Sequence, residues 1–252
     1  MRVALKFAYD GTGFSGYARQ PGQRTIEHVL LTRLLEQGMF HDTKSACFRT
    51  ASRTDRGVSA LGNVCAFDTS LSPAEILTHL TWSASDVFIY GITEVDYDFY
   101  PRHAKRREYR YYLLNTNLDV DKILSAADLF TGEHNFQNFA RIEPLKDPVR
   151  CIDAIVVSEK EDFLVLDFYA QTYLWNQIRR IVSALNKVGE GTLSLNAIGQ
   201  ALVHPETKVD FQVAAPEPLL LKDVVYDFSF QCVKGYKKTL HTLEEQIVAT
   251  LR

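Results

Sequence analysis

The strongest constraint on the fold of this chain is the order in which its apolar periodicity changes. Val3, Leu5 and Phe7 alternate with small or polar neighbours, as a half-buried strand does, and Asp10-Gly11-Thr12-Gly13 ends the run. Thr25 then stands where a helix N-cap belongs, ahead of the stripe Ile26, Val29, Leu30 and Leu34, and Gly38 supplies a C-terminal stop. Lys44 to Ala51 and Asn63 to Thr69 read as two more strands, Ser72-Pro73 opens a short helix, and Val87 to Val95 is an apolar strand. The second half repeats the order. It has a strand at Tyr109 to Asn115, a helix near Leu124 to Phe130, and strands at Val149 to Ser158 and Phe163 to Ala170 about the turn Glu159 to Asp162. A helix carrying Ile178, Ile181, Val182, Leu185 and Val188 ends at Gly189, a further helix spans Leu195 to Leu202, and the strand Asp223 to Phe230 closes the pattern. Two β-α-β-β-α-β units in tandem predict an α+β protein of two ferredoxin-like halves, each an antiparallel sheet with helices on one face. The boundary is expected within Tyr97 to Arg107, giving halves 1–103 and 104–252.

A chain of 252 residues, 46% hydrophobic and 23% charged, is long enough and apolar enough for a packed core, which excludes disordered, collagen-like and coiled-coil classes. No stretch approaches 18 consecutive apolar residues, and Lys6 interrupts the opening MRVALKF before it can act as a signal-peptide core, so a soluble cytoplasmic chain with no membrane partner is expected. Cys47, Cys65, Cys151 and Cys232 are too widely spaced for zinc or redox pairs and are expected as unpaired thiols. With 28 basic against 31 acidic residues the formal charge is −3, so a nucleic-acid surface, if present, must be local.

Three segments carry residues suited to chemistry. Ser52-Arg53-Thr54-Asp55-Arg56-Gly57-Val58 sets one carboxylate between two arginines; such a carboxylate is expected to be ionised and available as a nucleophile or as a partner held by arginine, while the same string also suits an Asx turn with Gly57 at positive φ. From Arg102 to Arg110 five basic residues face one Glu, a local +4, next to the three tyrosines Tyr109, Tyr111 and Tyr112: cations for phosphates and rings for unpaired bases, or a basic linker entering an ordinary strand. In Tyr173-Leu174-Trp175-Asn176-Gln177-Ile178-Arg179-Arg180-Ile181-Val182 the apolar stripe directs Arg179 and Arg180 apart, one toward a cleft and the other outward, or both onto a solvated face. The glycines of Asp10 to Tyr17 lack the lysine of a P-loop, and His28, His79 and His134 stand singly, so neither nucleotide-triphosphate nor metal chemistry has a motif.

These strings resemble the TruA-type tRNA pseudouridine synthase family, whose catalytic loop reads approximately Gly-Arg-Thr-Asp-x-Gly-Val-His-Ala, against Ser52 to Ala60 here. The match is reinforced, in family order, by Phe14 to Gln20, Arg107 to Tyr111, Tyr173 to Arg179, and Ala215-Pro216 before Leu219 to Leu221. The resemblance implies isomerisation of a uridine in tRNA to its C-glycoside, in the anticodon stem-loop for most members, by an essential aspartate with neither metal nor organic cofactor. It assigns that aspartate to Asp55, its arginine partner to Arg179, the base-stacking tyrosine to Tyr109 and the nucleotide-flipping arginine to Arg53. It further implies a basic cleft between the two halves and a homodimer. RNA binding is expected from Arg19, Arg53, Arg102, Lys105, Arg106 and Arg107. Ser52, Ser59 and Ser183 depart from the family's usual glycine, histidine and glycine. The competing readings are a catalytically silent RNA binder of ferredoxin-like fold and a metal-assisted hydrolase; the second lacks a ligand cluster in the sequence.

Overall fold

The computed structural model describes residues 1–80 and 86–252, excluding the side chains of residues 79 and 80, so the His79 side chain lies outside the described residues. In chain order the elements are β1 (Arg2–Tyr9), α1 (Ile26–Glu36), β2 (Arg49–Thr50), β3 (Ser59–Asp68), α2 (Pro73–Leu80), β4 (Val87–Val95), β5 (Arg106–Leu114), α3 (Val120–Asp128), β6 (Gly132–Asn135), β7 (Val149–Ile152), β8 (Ala154–Lys160), β9 (Phe163–Ala170), α4 (Gln177–Gly189), α5 (Leu195–Val203), β10 (Leu219–Val225), β11 (Gln231–Cys232) and α6 (Tyr236–Ala249). The protein is α+β with mostly antiparallel pairing. It forms two compact units, one made of Met1–Lys105 with Leu220–Arg252 and the other of Arg106–Leu219. Among the described residues no helix is long and apolar enough to cross a membrane.

In the first unit the strand order is β11-β4-β1-β3-β10, with β2 also on β3. β1 runs antiparallel to both neighbours, from Arg2↔Asp68 to Tyr9↔Ala60 on β3 and from Arg2↔Val95 to Tyr9↔Val87 on β4. The chain returns to this sheet through a short parallel pairing, Leu220↔Ser59 and Leu221↔Ala60. Every residue of β1 except Lys6 is buried, as a strand covered on both faces requires. α1 starts where its sequence places it, the Thr25 hydroxyl accepting from the His28 amide, and Gly38 follows its end at φ +68°. α6 was not expected, although Leu240, Leu243 and Ile247 carry a helical stripe; that stripe packs on Leu61 and Leu220.

The expected strand Lys44 to Ala51 shrinks to two residues because the Asp42 carboxylate accepts from the Lys44 and Ser45 amides at 2.8 and 2.9 Å. That Asx turn holds the chain out of the ladder. β3 begins earlier than expected, at Ser59, so the polar loop before it is shorter.

The second unit contains the antiparallel order β5-β9-β8 and a separate pair, β6 with β7. The single strand expected over Val149 to Ser158 is therefore two strands, β7 on β6 and β8 on β9, broken at Asp153, whose amide donates to the Tyr169 carbonyl at 2.8 Å. On β5 and β9, Tyr109 faces Phe168 and Arg110 faces Asp167. Ring contacts Phe130–Phe139 (4.8 Å) and Phe139–Phe211 (4.5 Å, nearly parallel) tie the segment after α5 into this core. The last expected strand, Asp223 to Phe230, lies earlier, at Leu219–Val225.

Candidate active site

The loop carrying Asp55 is seated by the end of β1. Tyr9 Oη lies 2.8 Å from Thr54 Oγ1, and the Tyr17 amide donates to the Thr54 carbonyl at 3.1 Å. Asn63 Nδ2, from β3 and itself fully buried, donates to the Ser52 carbonyl at 3.0 Å. Ser52 and Thr54 are buried while Arg53 and Arg56 are exposed, so the alternation of the loop turns hydroxyls in and guanidiniums out. The Val58 amide closes a turn onto the Asp55 carbonyl at 3.2 Å, with Gly57 at φ +84°, a value L-residues rarely adopt. The turn and the half-buried carboxylate of Asp55 thus coexist in one loop.

Gly11 fits against this loop so closely that a Cβ would stand 2.2 Å from the Val58 carbonyl oxygen; only glycine is accommodated. Its amide donates to Ser59 Oγ at 2.9 Å. Ser59, which stands where the family usually has histidine, is fully buried as part of this seat. The glycine-bearing loop after β1 is therefore a support for the Asp55 loop.

In the second unit Tyr109 on β5 meets Tyr173 edge to face, centroids 5.4 Å apart, and the Tyr173 hydroxyl is buried. Burial raises the Tyr173 hydroxyl well above the ordinary tyrosine range, so it stays protonated. Arg179, on the first turn of α4, donates through Nε to the Ala214 carbonyl at 2.8 Å and through Nη1 to Asn176 Oδ1 at 3.3 Å. Asn176 itself sits at φ +59°, and the Gln177 side chain accepts from the Leu174 amide at 2.8 Å, which shapes the entry to α4. Arg180 does not simply point outward: Nη1 pairs with Asp210 Oδ1 at 2.9 Å.

The segment 210–215 is pinned along α4 by side chains one helical turn apart. Ser183 Oγ donates to the Phe211 carbonyl at 2.7 Å and Lys187 Nζ to the same oxygen at 3.2 Å. Serine in place of the family's glycine therefore has a partner. Tyr111 Oη donates to the Ala215 carbonyl at 3.1 Å, and burial lifts its pKa to about 12 against the lowering effect of Arg179. Sequence reading did not single out Tyr9, Asn63 or this clamp, because none has a local motif; each is a long-range contact.

The expected RNA-binding cations are placed unevenly. Arg19, Arg53 and Arg102 are exposed. The Arg19 amide donates to Glu27 Oε2 at 3.0 Å. Lys105 pairs with Asp227, and Arg106 Nε donates to Glu108 Oε1 at 3.0 Å. Arg107 is only 7% exposed and donates to the Gln171 carbonyl. Among the described residues no group of three or more His, Cys, Asp or Glu side chains stands close enough to hold a metal ion.

Residues 126–227 match a family model described as tRNA pseudouridine synthase. Curated relatives named tRNA pseudouridine synthase A include one from Thermococcus sibiricus, 46% identical over 90% of this chain and 85% of the relative. One from Pyrococcus abyssi is 42% identical over 90% of this chain and 85% of its own length, and one from Methanocorpusculum labreanum is 36% identical over 99% and 88%. Identity of that order over nine-tenths or more of the chain places it in the tRNA pseudouridine synthase family.

Proposed function

We propose that this chain converts uridine to pseudouridine in tRNA with Asp55 as the essential carboxylate, and the observation that carries the reading is the Arg53-Thr54-Asp55 loop, seated from Tyr9, Tyr17 and Asn63. The reaction breaks the bond from N1 of uracil to the ribose C1′, turns the base and forms a bond from C5 to C1′; the proton on C5 leaves and N1 gains one. A carboxylate assists either by adding to C6 of the ring or by capturing C1′ as the glycosidic bond breaks, and it leaves again when the new bond is complete. Arg179 serves as the arginine partner of Asp55, Tyr109 stacks on the target base and its hydroxyl serves the C5 proton, and Arg53 takes the place of the flipped nucleotide. Flipping costs a few kcal/mol, which stacking on an aromatic ring partly offsets.

In this reading each half is ferredoxin-like, the first, built on residues 1–103, carrying Asp55 and the second, from residue 104 on, carrying Tyr109 and Arg179, while the segment Leu220–Arg252 packs with the first. The order β4-β1-β3 with β2 on β3, all antiparallel, supports the first half, and β5-β9-β8 the second. Phosphates are met by Arg19, Arg53, Arg102, Lys105 and Arg106, while Arg107, being buried, acts by fixing the end of β5 to Gln171. The enzyme acts as a cytoplasmic homodimer on the anticodon stem-loop.

The test is release of tritium from tRNA transcripts carrying 5-tritiated uridine, with each candidate uridine replaced in turn and with a chelator present. Full release in chelator, lost on replacing particular anticodon-stem uridines, is expected. No release from any transcript would remove the activity, and release confined to uridines elsewhere would remove the anticodon assignment. Arg179→Ala is expected to lower the saturating rate more than tRNA affinity.

A further inference from the structure

The first unit holds a cavity of about 380 Å³ under α6, within the ~300–1,000 Å³ range of small-molecule sites. It opens between the end of β1, the start of β4 and one face of α6, where Lys238, Thr239, Thr242, Leu243 and Gln246 recur at helical spacing. Its apolar wall comes from Ala8, Phe88 and Leu243, and Asp10 and Asp86 stand at the other side. The Phe88 ring is held in a ladder: it stacks on Tyr90 at 5.7 Å, Tyr90 stacks on Tyr236 at 5.2 Å, and the Tyr90 hydroxyl donates to the Leu61 carbonyl at 2.9 Å. Such a ring is a rigid platform, with little side-chain freedom left to lose on binding.

Charge is divided about this cavity in an informative way. Asp86 is paired with Arg24, and Asp10 Oδ1 accepts from the Thr12 amide and hydroxyl at 2.9 and 2.8 Å; a carboxylate has lone pairs beyond these, so the two side chains remain acceptors for the N–H groups of a base, alongside Thr239, Thr242 and Gln246 at the mouth. Lys238 stands at that mouth and Lys234 and Lys237 beyond it, all three exposed about the start of α6 in a stretch, Phe228 to Leu243, whose sequence holds no Asp or Glu. A ligand that puts an uncharged aromatic ring inside and phosphates outside satisfies both halves; a free phosphate or an acidic lipid surface satisfies only the lysines.

We propose that this cavity takes one unstacked base of an RNA strand, stacked on Phe88, while Lys234, Lys237 and Lys238 contact the flanking phosphates. The occupant is a nucleotide of the tRNA substrate away from the reacting uridine, and to that extent the proposal rests on the synthase reading. The site serves affinity and register; the reacting atoms are at Asp55.

The test measures the dissociation constant of an unmodified tRNA transcript at several salt concentrations, together with the single-turnover tritium-release rate at saturating tRNA. In the triple variant Lys234→Ala, Lys237→Ala, Lys238→Ala, loss of three phosphate contacts flattens the slope of log affinity against log salt by about two to three units. The saturated rate stays within about twofold of the parent because none of the three acts on the base being isomerised. Phe88→Leu keeps apolar volume but removes the ring, and is expected to weaken binding by about fivefold or more with the parental slope, since stacking is insensitive to salt. Thr239→Leu with Thr242→Leu, on the exposed face of α6, narrows the mouth without touching the sheet and gives the same loss. A parental slope in the lysine variant overturns the surface as an RNA contact, and parental affinity in both pocket variants overturns the cavity as a base site. If the parent releases tritium while all variants bind as the parent does, only this site falls; an inactive parent sinks the synthase reading, and the binding series still decides the site.

Discussion

The hydroxyl of Tyr9, at the end of β1, lies 2.8 Å from Thr54 Oγ1, one residue before the carboxylate proposed to do the chemistry. Tyr9 is 1% exposed, and its hydroxyl is also 3.5 Å from Asn63 Nδ2, so a strand of the core fixes the height of the loop. Tyr9→Phe deletes the contact and leaves Thr54 with one fewer partner in a buried place. The expected cost is about 1 kcal/mol of stability, measured by urea unfolding, together with a saturating isomerisation rate that falls by more than tRNA affinity does. An unchanged rate would mean that the loop keeps its position without the tyrosine.

A second expectation concerns Arg110 and Asp167, which face each other on β5 and β9 and form a two-pronged pair, Nε to Oδ1 at 2.8 Å and Nη2 to Oδ2 at 2.7 Å. The Asp167 carboxylate holds the Arg110 guanidinium even more firmly charged than usual. Asp167→Asn leaves that guanidinium with a poorer acceptor and is expected to cost about 2 kcal/mol. Replacing both residues by Met and Leu should cost less than the sum of the single changes, because neither charge is then stranded. Strict additivity in the double-mutant cycle would contradict the coupling.

The fold was legible wherever periodicity is local. α1 was readable from Thr25, the stripe Ile26 to Leu34 and Gly38, because a cap, a 3.6-residue repeat and a stop are all written within thirteen residues of one another. β2 was overestimated because Asp42 captures the amides ahead of it, a competition that strand propensity does not register. The return of the chain at Leu220 to pair with Ser59 has no local mark, since parallel partners lie far apart in sequence. The Asp55 loop could be found from its residues, whereas its seat could not: Tyr9 looks like any alternating strand residue until Thr54 is opposite it.

Tyr111 gives an expectation for high pH. Burial raises its hydroxyl from 10.0 to about 12, and the protonated form donates to the Ala215 carbonyl. The unfolded chain loses this proton first, so the contribution to stability is complete below pH 10 and is lost as pH climbs toward 12. Urea unfolding between pH 9 and 11.5 should show stability falling with pH, with a shallower fall in Tyr111→Phe; equal slopes in the two proteins would assign the effect to other tyrosines.

Asp55 is proposed to perform the isomerisation from a loop that the rest of the first unit holds in place. Asp55→Asn keeps the shape of the side chain and removes its nucleophilic charge. The direct measurement is single-turnover tritium release from saturating 5-tritiated tRNA, with tRNA affinity and the urea unfolding midpoint measured on the same preparation. The rate is expected to fall below detection, at least about 10³-fold, while affinity and midpoint stay near those of the parent. Appreciable release by a folded, tRNA-binding Asp55→Asn protein would contradict it.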